Sequence, residues 1–220
     1  MSAADARWDG FLAKIRARAD EILKEASDGT VEYLASPDFD SNALSQLWTA
    51  IRLRLIELWR KIDDTWSDSA SALFSGDAGD RARERGQELA HQIERDHERA
   101  EVRAWAAVGR WIEKRAAAQR VTEAHCMRCG APHPVVGVYA AHEWTCTSCH
   151  ATATFQPATF EYQMPQAADY VARDRAFELR ERPADYWPLY LATVAEVLPE
   201  RAATLAADVA AKIASGDKPR

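Results

Sequence analysis

Apolar residues recur at intervals of three and four along the first part of the chain, a spacing that places them on one face of an α-helix. The first such helix is expected to end at Gly29, before a connection over residues 30–40. The second is the most regular, and its apolar positions are Leu44, Trp48, Ile51, Leu55, Leu58, Ile62 and Trp66. This spacing forms the a/d seam of a coiled coil. Asp40 or Ser41 is expected to cap this second helix.

A third helix is predicted from about residue 80 to residue 118, after a glycine turn over residues 75–79. It is charged in its first half and apolar in its second. No proline occurs between Pro37 and Pro132, so long helices run through this stretch without interruption. Two long consecutive helices joined by a short turn fold back as an antiparallel hairpin. The first 120 residues are therefore predicted to form an antiparallel bundle of three helices.

Residues 121–160 differ in composition from the rest of the chain. Prolines, β-branched residues and aromatic residues gather there, and the charged side chains are Glu123, Arg128 and Glu143. This composition predicts a small β module inserted between helical parts. Its strands are expected over residues 135–140, 143–145 and 151–156, the first paired with the second.

Helical periodicity returns after the β module. Helices are predicted over residues 165–182, 185–198 and 199–214, and Pro199 suits the first turn of the last one. The predicted fold class is mainly α, with a bundle over 1–120, a β insert over 121–160, and C-terminal helices over 161–220 that pack on the bundle or on a second copy. With 220 residues, 47% of them hydrophobic, the chain is long enough to bury such cores.

All four cysteines lie in the β module, and their spacing indicates a metal site. Cys126 and Cys129 form one C-x2-C pair, Cys146 and Cys149 form a second, and sixteen residues separate the pairs. Two such turns present four thiolates, a donor set that tetrahedral zinc prefers at about 2.3 Å. Four thiolates leave no open position for water, so the zinc is predicted to be structural and not catalytic.

Around these cysteines the chain resembles a zinc ribbon. The resemblance rests on the turns Cys126-Met127-Arg128-Cys129-Gly130 and Cys146-Thr147-Ser148-Cys149, and it covers about 40 of the 220 residues. Glycine is typical just after the second cysteine, because the turn there favours a left-handed residue. The second turn has His150 at that place, so its backbone is expected to differ a little. The resemblance implies a metal-organised fold and no particular activity.

Other chemistry at the cysteines has to be weighed against zinc. Iron, as in rubredoxin, uses related turns, and thiolate geometry alone does not exclude it. Two disulfides need an oxidising compartment, for which there is no signal, and a thioredoxin-like pair needs one C-x2-C at a helix start. The module also contains His125, His133, His142 and His150. We expect these histidines at the surface or beside the ligands, and His125 and His150 each neighbour a cysteine.

Two Glu-x-x-His motifs in the third helix resemble those of ferritin-like di-iron proteins such as rubrerythrin. They are Glu88-x-x-His91 and Glu94-x-x-His97. A di-iron centre takes one motif from each of two helices, whereas both motifs here lie on one helix. A solvated charged face is therefore the expectation, and a ferritin-like metalloenzyme is the weakest of three functional hypotheses.

The charge of the chain disfavours nucleic acid as a partner. The chain has 34 acidic and 28 basic side chains, so its formal net charge of -6 creates no global attraction to phosphate. Arg95, Arg99 and Arg103, extended by Arg110, form a basic stripe whose field the neighbouring acids largely cancel. Within the module Arg128 is the only permanently positive side chain. The aromatic residues Tyr139, Trp144 and Phe155 are expected to pack the core of the module or to dock it on the helices, and not to stack on bases.

These patterns favour a non-enzymatic role in protein interaction or assembly. No catalytic or nucleotide-binding signature such as G-x-S-x-G, a P-loop or G-x-G-x-x-G occurs in the sequence. No segment approaches the roughly 20 apolar residues of a membrane span, and a cytoplasmic protein is expected. The seam and the eight tryptophans favour a protein partner or a second copy of the chain. A nucleic-acid-associated ribbon protein is the alternative.

Overall fold

The computed structural model of the protein describes residues 2–36, 39–135, 137 and 139–219. Most of these residues are helical, and a small antiparallel β region holds the cysteines. The predicted fold class is thereby confirmed. The chain divides into two compact units, residues 1–104 and 105–220. The predicted β module and the predicted C-terminal helices both belong to the second unit.

The first helix of the first unit, α1, spans Ala3–Ala35. It begins with a capping box in which the Ser2 hydroxyl accepts from the Asp5 amide at 3.1 Å. The predicted end at Gly29 is wrong. A helix-ending glycine commonly has a positive φ, which Gly29 does not have, and the helix continues past the buried Thr30, whose hydroxyl donates to the Ala26 carbonyl at 2.8 Å. Pro37, in the predicted connection, lies outside the described residues.

The second helix, α2, spans Ser41–Thr65, and its predicted cap is confirmed because the Asp40 carboxylate accepts from the Asn42 amide at 2.9 Å. The buried positions of its seam are Leu44, Trp48, Ile51, Leu55 and Ile62. A π-helical turn over Trp66–Ala70 and a 3₁₀ turn over Ser71–Leu73 follow. The third helix, α3, spans Asp77–Gln119, close to the prediction.

Contacts between the helices give the first unit an up-down-up arrangement. The Trp8 indole of α1 donates to the Ala82 carbonyl of α3 at 2.8 Å, and further along the same pair of helices Arg16 bonds to Asp96 at 2.5 Å. These helices therefore run parallel. Helix α2 runs against both, since Trp48, near its start, lies 6.0 Å from the ring of His97.

The second unit contains the rest of α3, four short strands and four more helices. The strands are β1 (Glu123–His125), β2 (Pro132–Pro134), β3 (His142–Thr145) and β4 (Thr152–Phe155). The helices are α4 (Thr159–Tyr162), α5 (Met164–Ala176), α6 (Pro183–Val197) and α7 (Pro199–Ser215), with a 3₁₀ turn over Phe177–Leu179 after α5. The C-terminal helices thus follow the predicted pattern, and Pro199 occupies the first turn of α7 as expected.

The strands pair differently from the prediction. β1 pairs with β2 and β3 pairs with β4, each pair antiparallel and in a sheet of its own. The strand expected over residues 135–140 is wrong for the described part of that range, where the Ala140 amide donates to the Gly137 carbonyl at 3.3 Å in a turn. Residues 136 and 138 lie outside the described residues. Each cysteine pair therefore turns the chain within its own hairpin.

Helix α3 and helix α5 approach each other closely at Gly109. A Cβ atom at this position would lie 2.7 Å from the Ala167 carbonyl oxygen, too near for any side chain. Further along α5, the Asp169 carboxylate accepts from the Tyr190 hydroxyl of α6 at 2.8 Å. These contacts hold the end of α3, from which the chain enters the β module, against the C-terminal helices of the same unit.

Candidate metal centre

The two C-x2-C segments form turns of the same design. In the first, the Cys126 amide donates to the Ala131 carbonyl at 2.9 Å and the Gly130 amide donates to the Cys126 carbonyl at 2.8 Å. In the second, the Cys146 amide donates to the Ala151 carbonyl at 2.9 Å and the His150 amide donates to the Cys146 carbonyl at 3.0 Å. Each turn closes one hairpin and presents two sulfur atoms on the same side.

His150 adopts nearly the backbone conformation of its glycine counterpart. Its φ is +57°, against +73° for Gly130. The small difference expected from the missing glycine is therefore 16° in φ, within the left-handed region. Histidine tolerates this region better than most residues with a Cβ, but it is less favoured there than glycine.

The turns bring together the four cysteines that the sequence analysis selected as ligands. The sulfur atoms of Cys126, Cys129, Cys146 and Cys149 all lie within 4.8 Å of one another. The Cys126–Cys149 and Cys129–Cys146 sulfur pairs are each 3.6 Å apart. A disulfide is about 2.05 Å long, whereas two ligands of a tetrahedral zinc with bonds of about 2.3 Å are about 3.8 Å apart. The cluster is thus compatible with a structural metal site.

Backbone amides direct hydrogen bonds to the sulfur atoms in the same way in both turns. Cys126 accepts from the amides of Arg128 and Cys129, which lower the pKa of its thiol. Cys146 accepts from the amides of Cys149 and Ser148, which lower the pKa of its thiol to about 6. The first cysteine of each pair therefore becomes a thiolate readily.

The second cysteine of each pair behaves in the opposite way. The Ala151 amide favours the Cys149 thiolate, but burial and the three other sulfur atoms outweigh it and raise the pKa to about 12. The Ala131 amide likewise favours the Cys129 thiolate, and the pKa of Cys129 is nevertheless raised by burial and by Cys146 and Cys126. Four thiolates at this distance repel one another, so a bound cation is needed to hold all four deprotonated.

A small core of its own supports the cluster. Its buried residues are Cys126, Trp144, Cys146 and Phe155. The His133 ring stacks on Trp144 with centroids 4.1 Å apart and planes 7° apart, and His142 lies against Phe155 at 5.3 Å. Trp144 and Phe155 thus pack the module as predicted. Tyr139 instead accepts a hydrogen bond from Arg120, which lies 5.9 Å from its ring.

The remaining histidines of the module are exposed. His125 lies 3.3 Å from the Glu123 carboxylate, and no metal-binding group of the described residues includes a histidine. The predicted role of His125 and His150 beside the ligands stays a prediction.

A buried carboxylate joins the two ends of the β module. Glu161, in α4, is 1% exposed, and its two oxygens accept from the Val121 amide at 3.3 Å and the Ala158 amide at 3.1 Å. Val121 stands where the chain enters the module, and Ala158 stands where it leaves. Glu161 therefore holds together the two chain segments that lead into and out of the β module. Glu161 was not predicted from the sequence, because nothing in its spacing distinguishes it from the other acidic residues.

The Glu-x-x-His residues of α3 do not assemble into a metal-binding group within the described residues. Glu88 bonds to Arg95 at 3.0 Å and to Gln92 at 2.9 Å, and His91 is exposed. His97 is 4% exposed and contacts the seam of α2, as expected of a core histidine. The exposed ion pair between Arg95 and Glu88 also agrees with the solvated charged face expected for this part of α3.

No protein-family model matches this chain, and comparison with curated proteins and with solved structures likewise finds no match. The described residues include no helix with the length and apolar character required to cross a membrane.

Proposed function

We propose that residues 121–160 are a zinc ribbon in which Cys126, Cys129, Cys146 and Cys149 hold one structural Zn²⁺. The donor set supports this assignment, because four thiolates suit a borderline-soft cation and complete its tetrahedral shell. Bound metal would neutralise the crowded thiolates and hold the two hairpins together. Among its described residues the module has four buried core residues, too few to be stable without such a link.

We further propose that the protein is a non-enzymatic interaction or assembly module. The observation that carries this proposal is Met127, whose side chain is 96% exposed at the tip of the first cysteine turn. A large apolar side chain on a metal-braced turn is a rigid anchor for a pocket on another protein, and methionine adapts to irregular apolar surfaces. Four thiolate ligands, as proposed above, would leave no open position on the metal for water or substrate, which suits a structural role.

Elemental analysis combined with solution mass tests the metal and the assembly together. The expected result is one zinc per chain and a colourless protein, since Zn²⁺ has a filled d shell. If the protein instead contains one iron per chain and shows visible thiolate-to-iron absorption, the site is a rubredoxin-like iron centre and not a zinc site. Zinc below one equivalent in freshly purified protein, with free thiols, would overturn the assignment.

The interaction proposal is tested at matching positions of the two turns. Met127→Glu is compared with Thr147→Glu, because each residue follows the first cysteine of its pair and both are exposed. Light scattering measures self-association, and cross-linking followed by reconstitution with the purified partner measures hetero-association. The association should be lost with Met127→Glu and kept with Thr147→Glu. A monomer with no reconstituted partner, or equal losses in both variants, would refute the proposal.

A further inference from the structure

The last turns of α3, directly before the β module, carry a local excess of positive charge. Between residues 105 and 120 the basic side chains are Arg110, Lys114, Arg115 and Arg120, and the only acidic one is Glu113. All four cations are exposed. Arg110 was predicted to extend the stripe of Arg95, Arg99 and Arg103, but Lys114, Arg115 and Arg120 were not considered with it in the sequence.

The helix geometry gathers these cations on the solvent side. Arg110 and Lys114 are four residues apart, as are Trp111 and Arg115, so they form two adjacent rows. The buried positions of the same turns are Val108, Gly109, Ile112 and Ala116. The Arg110 row lies opposite them, the Arg115 row borders them, and Arg120 follows directly after α3. Arg110 forms an ion pair with the Asp174 carboxylate at 3.6 Å, and Glu113 lies three residues further along the helix.

Aromatic rings lie beneath two of the cations. The Arg115 guanidinium is 4.9 Å from the ring centroid of Trp111, and the Phe160 ring lies 5.2 Å from that of Trp111. The Arg120 guanidinium is 5.9 Å from the ring of Tyr139 and donates to its hydroxyl. These contacts limit the motion of both arginines and hold flat groups at a charged surface.

We propose that Arg110, Lys114, Arg115 and Arg120, with Trp111 and Tyr139, form a basic–aromatic surface that binds single-stranded nucleic acid. The cations suit a phosphate backbone, and the arginine and aromatic planes suit unstacked bases, which a duplex does not offer. An acidic protein would pair with the positive charges of this surface but would offer no bases to stack on its planar groups, so we favour nucleic acid.

The overall charge does not oppose this binding. Residues 105–220 contain thirteen basic and thirteen acidic side chains, so the net charge of -6 comes from residues 1–104. The second unit is neutral as a whole, and four of its thirteen basic side chains lie within residues 105–120, where there is one acidic side chain. Local charge governs contacts closer than the Debye length, which is about 8 Å at physiological ionic strength.

Fluorescence anisotropy of a labelled oligothymidylate 12-mer with the zinc-loaded full chain tests the proposal. Each phosphate contact contributes about -0.7 to the slope of log affinity against log salt. Four contacts predict a slope near -3, or roughly fifty-fold weaker binding at 200 mM than at 50 mM salt. The triple variant Lys114→Glu, Arg115→Glu, Arg120→Glu should weaken binding at least about tenfold and make the slope shallower by about 2.

Matched variants separate this surface from general electrostatics. Arg60→Glu, Lys61→Glu and Arg83→Glu together change the net charge equally at exposed sites in the first unit and should leave the affinity within about twofold. A milder triple variant with glutamine at residues 114, 115 and 120 gives the same direction of effect if the charge reversals disturb folding, which circular dichroism and zinc content monitor.

Stacking is tested through Tyr139. Tyr139→Ala should weaken oligothymidylate binding about fivefold or more, in line with the loss of one base-stacking contact, and should leave binding of inorganic polyphosphate unchanged. The proposal is overturned if the 12-mer does not bind saturably or if the control triple variant weakens it equally. It is also overturned if polyphosphate of equal charge competes as well as the oligonucleotide, which would mark an unspecific polyanion surface.

Discussion

Replacing Glu161 by alanine removes the acceptor for the two amides that begin and end the β module. Both hydrogen bonds are charge-assisted, and such bonds contribute about 1.5–3 kcal/mol each. Val121 is exposed, so water replaces the lost hydrogen bond of its amide after the substitution. Ala158 is half-buried, so the loss of its hydrogen bond costs more free energy. Removal of a buried carboxylate also relieves a desolvation cost. We therefore expect a net loss of about 2 kcal/mol, which is roughly thirtyfold in an opening equilibrium.

Hydrogen exchange measured by NMR reports this opening directly. The amides of Val121 and Ala158 should exchange about thirtyfold faster in Glu161→Ala, while bound zinc is kept because the cysteine turns have a core of their own. Glu161→Gln keeps one acceptor and should give an intermediate effect. The control is Glu143→Ala, an exposed glutamate of β3. If exchange at Val121 and Ala158 stays at its original rate, or if stability changes by less than about 0.5 kcal/mol, Glu161 does not join the two ends.

Substitutions at the metal centre and at one buried histidine carry the remaining predictions. Cys126→Ser should release the metal and unfold residues 121–160, while most of the helical circular dichroism signal is kept; loss of most of that signal would show that helices and module unfold together. His150→Gly should stabilise the module by about 0.5–1 kcal/mol, because glycine accepts the left-handed φ without strain, and a chelator competition titration should show tighter retention of the metal. Burial lowers the pKa of His97 from its ordinary 6.5, so the unfolded state takes up a proton before the folded state does. The resulting stability is complete above pH 6.5 and is lost as the pH falls towards the lower pKa of the folded state. The urea midpoint should fall less between pH 7.5 and 5.5 in His97→Gln than in the exposed control His91→Gln.

Local sequence signals predicted much of the fold. The cap at Asp40, the burial of five of the seven predicted apolar positions of α2 and the start of α7 at Pro199 were each confirmed, because caps, apolar periodicity and proline preferences act over a few neighbouring residues. The end of α1 was not predictable in this way. Gly29 resembles a helix stop locally, but the burial of Thr30 in the first unit keeps the helix intact to Ala35.

Strand pairing depended on contacts that local patterns do not specify. Short segments rich in β-branched residues are compatible with several partners, and the hydrogen bonds of the cysteine turns decide in favour of one hairpin around each pair. Composition alone therefore predicted a strand over residues 135–140 as the partner of β3, and the described part of this range does not form it.

The sequence by itself determined the helical character of the chain, the separate β module and the four cysteines that the structure gathers, since these follow from periodicity, composition and spacing along the chain. The tertiary structure alone decided which distant groups meet. It placed the Glu161 carboxylate between Val121 and Ala158, and it set Arg120 on the ring of Tyr139. Residues separated by long stretches of chain come together only when several elements pack at once, and no local pattern records that packing.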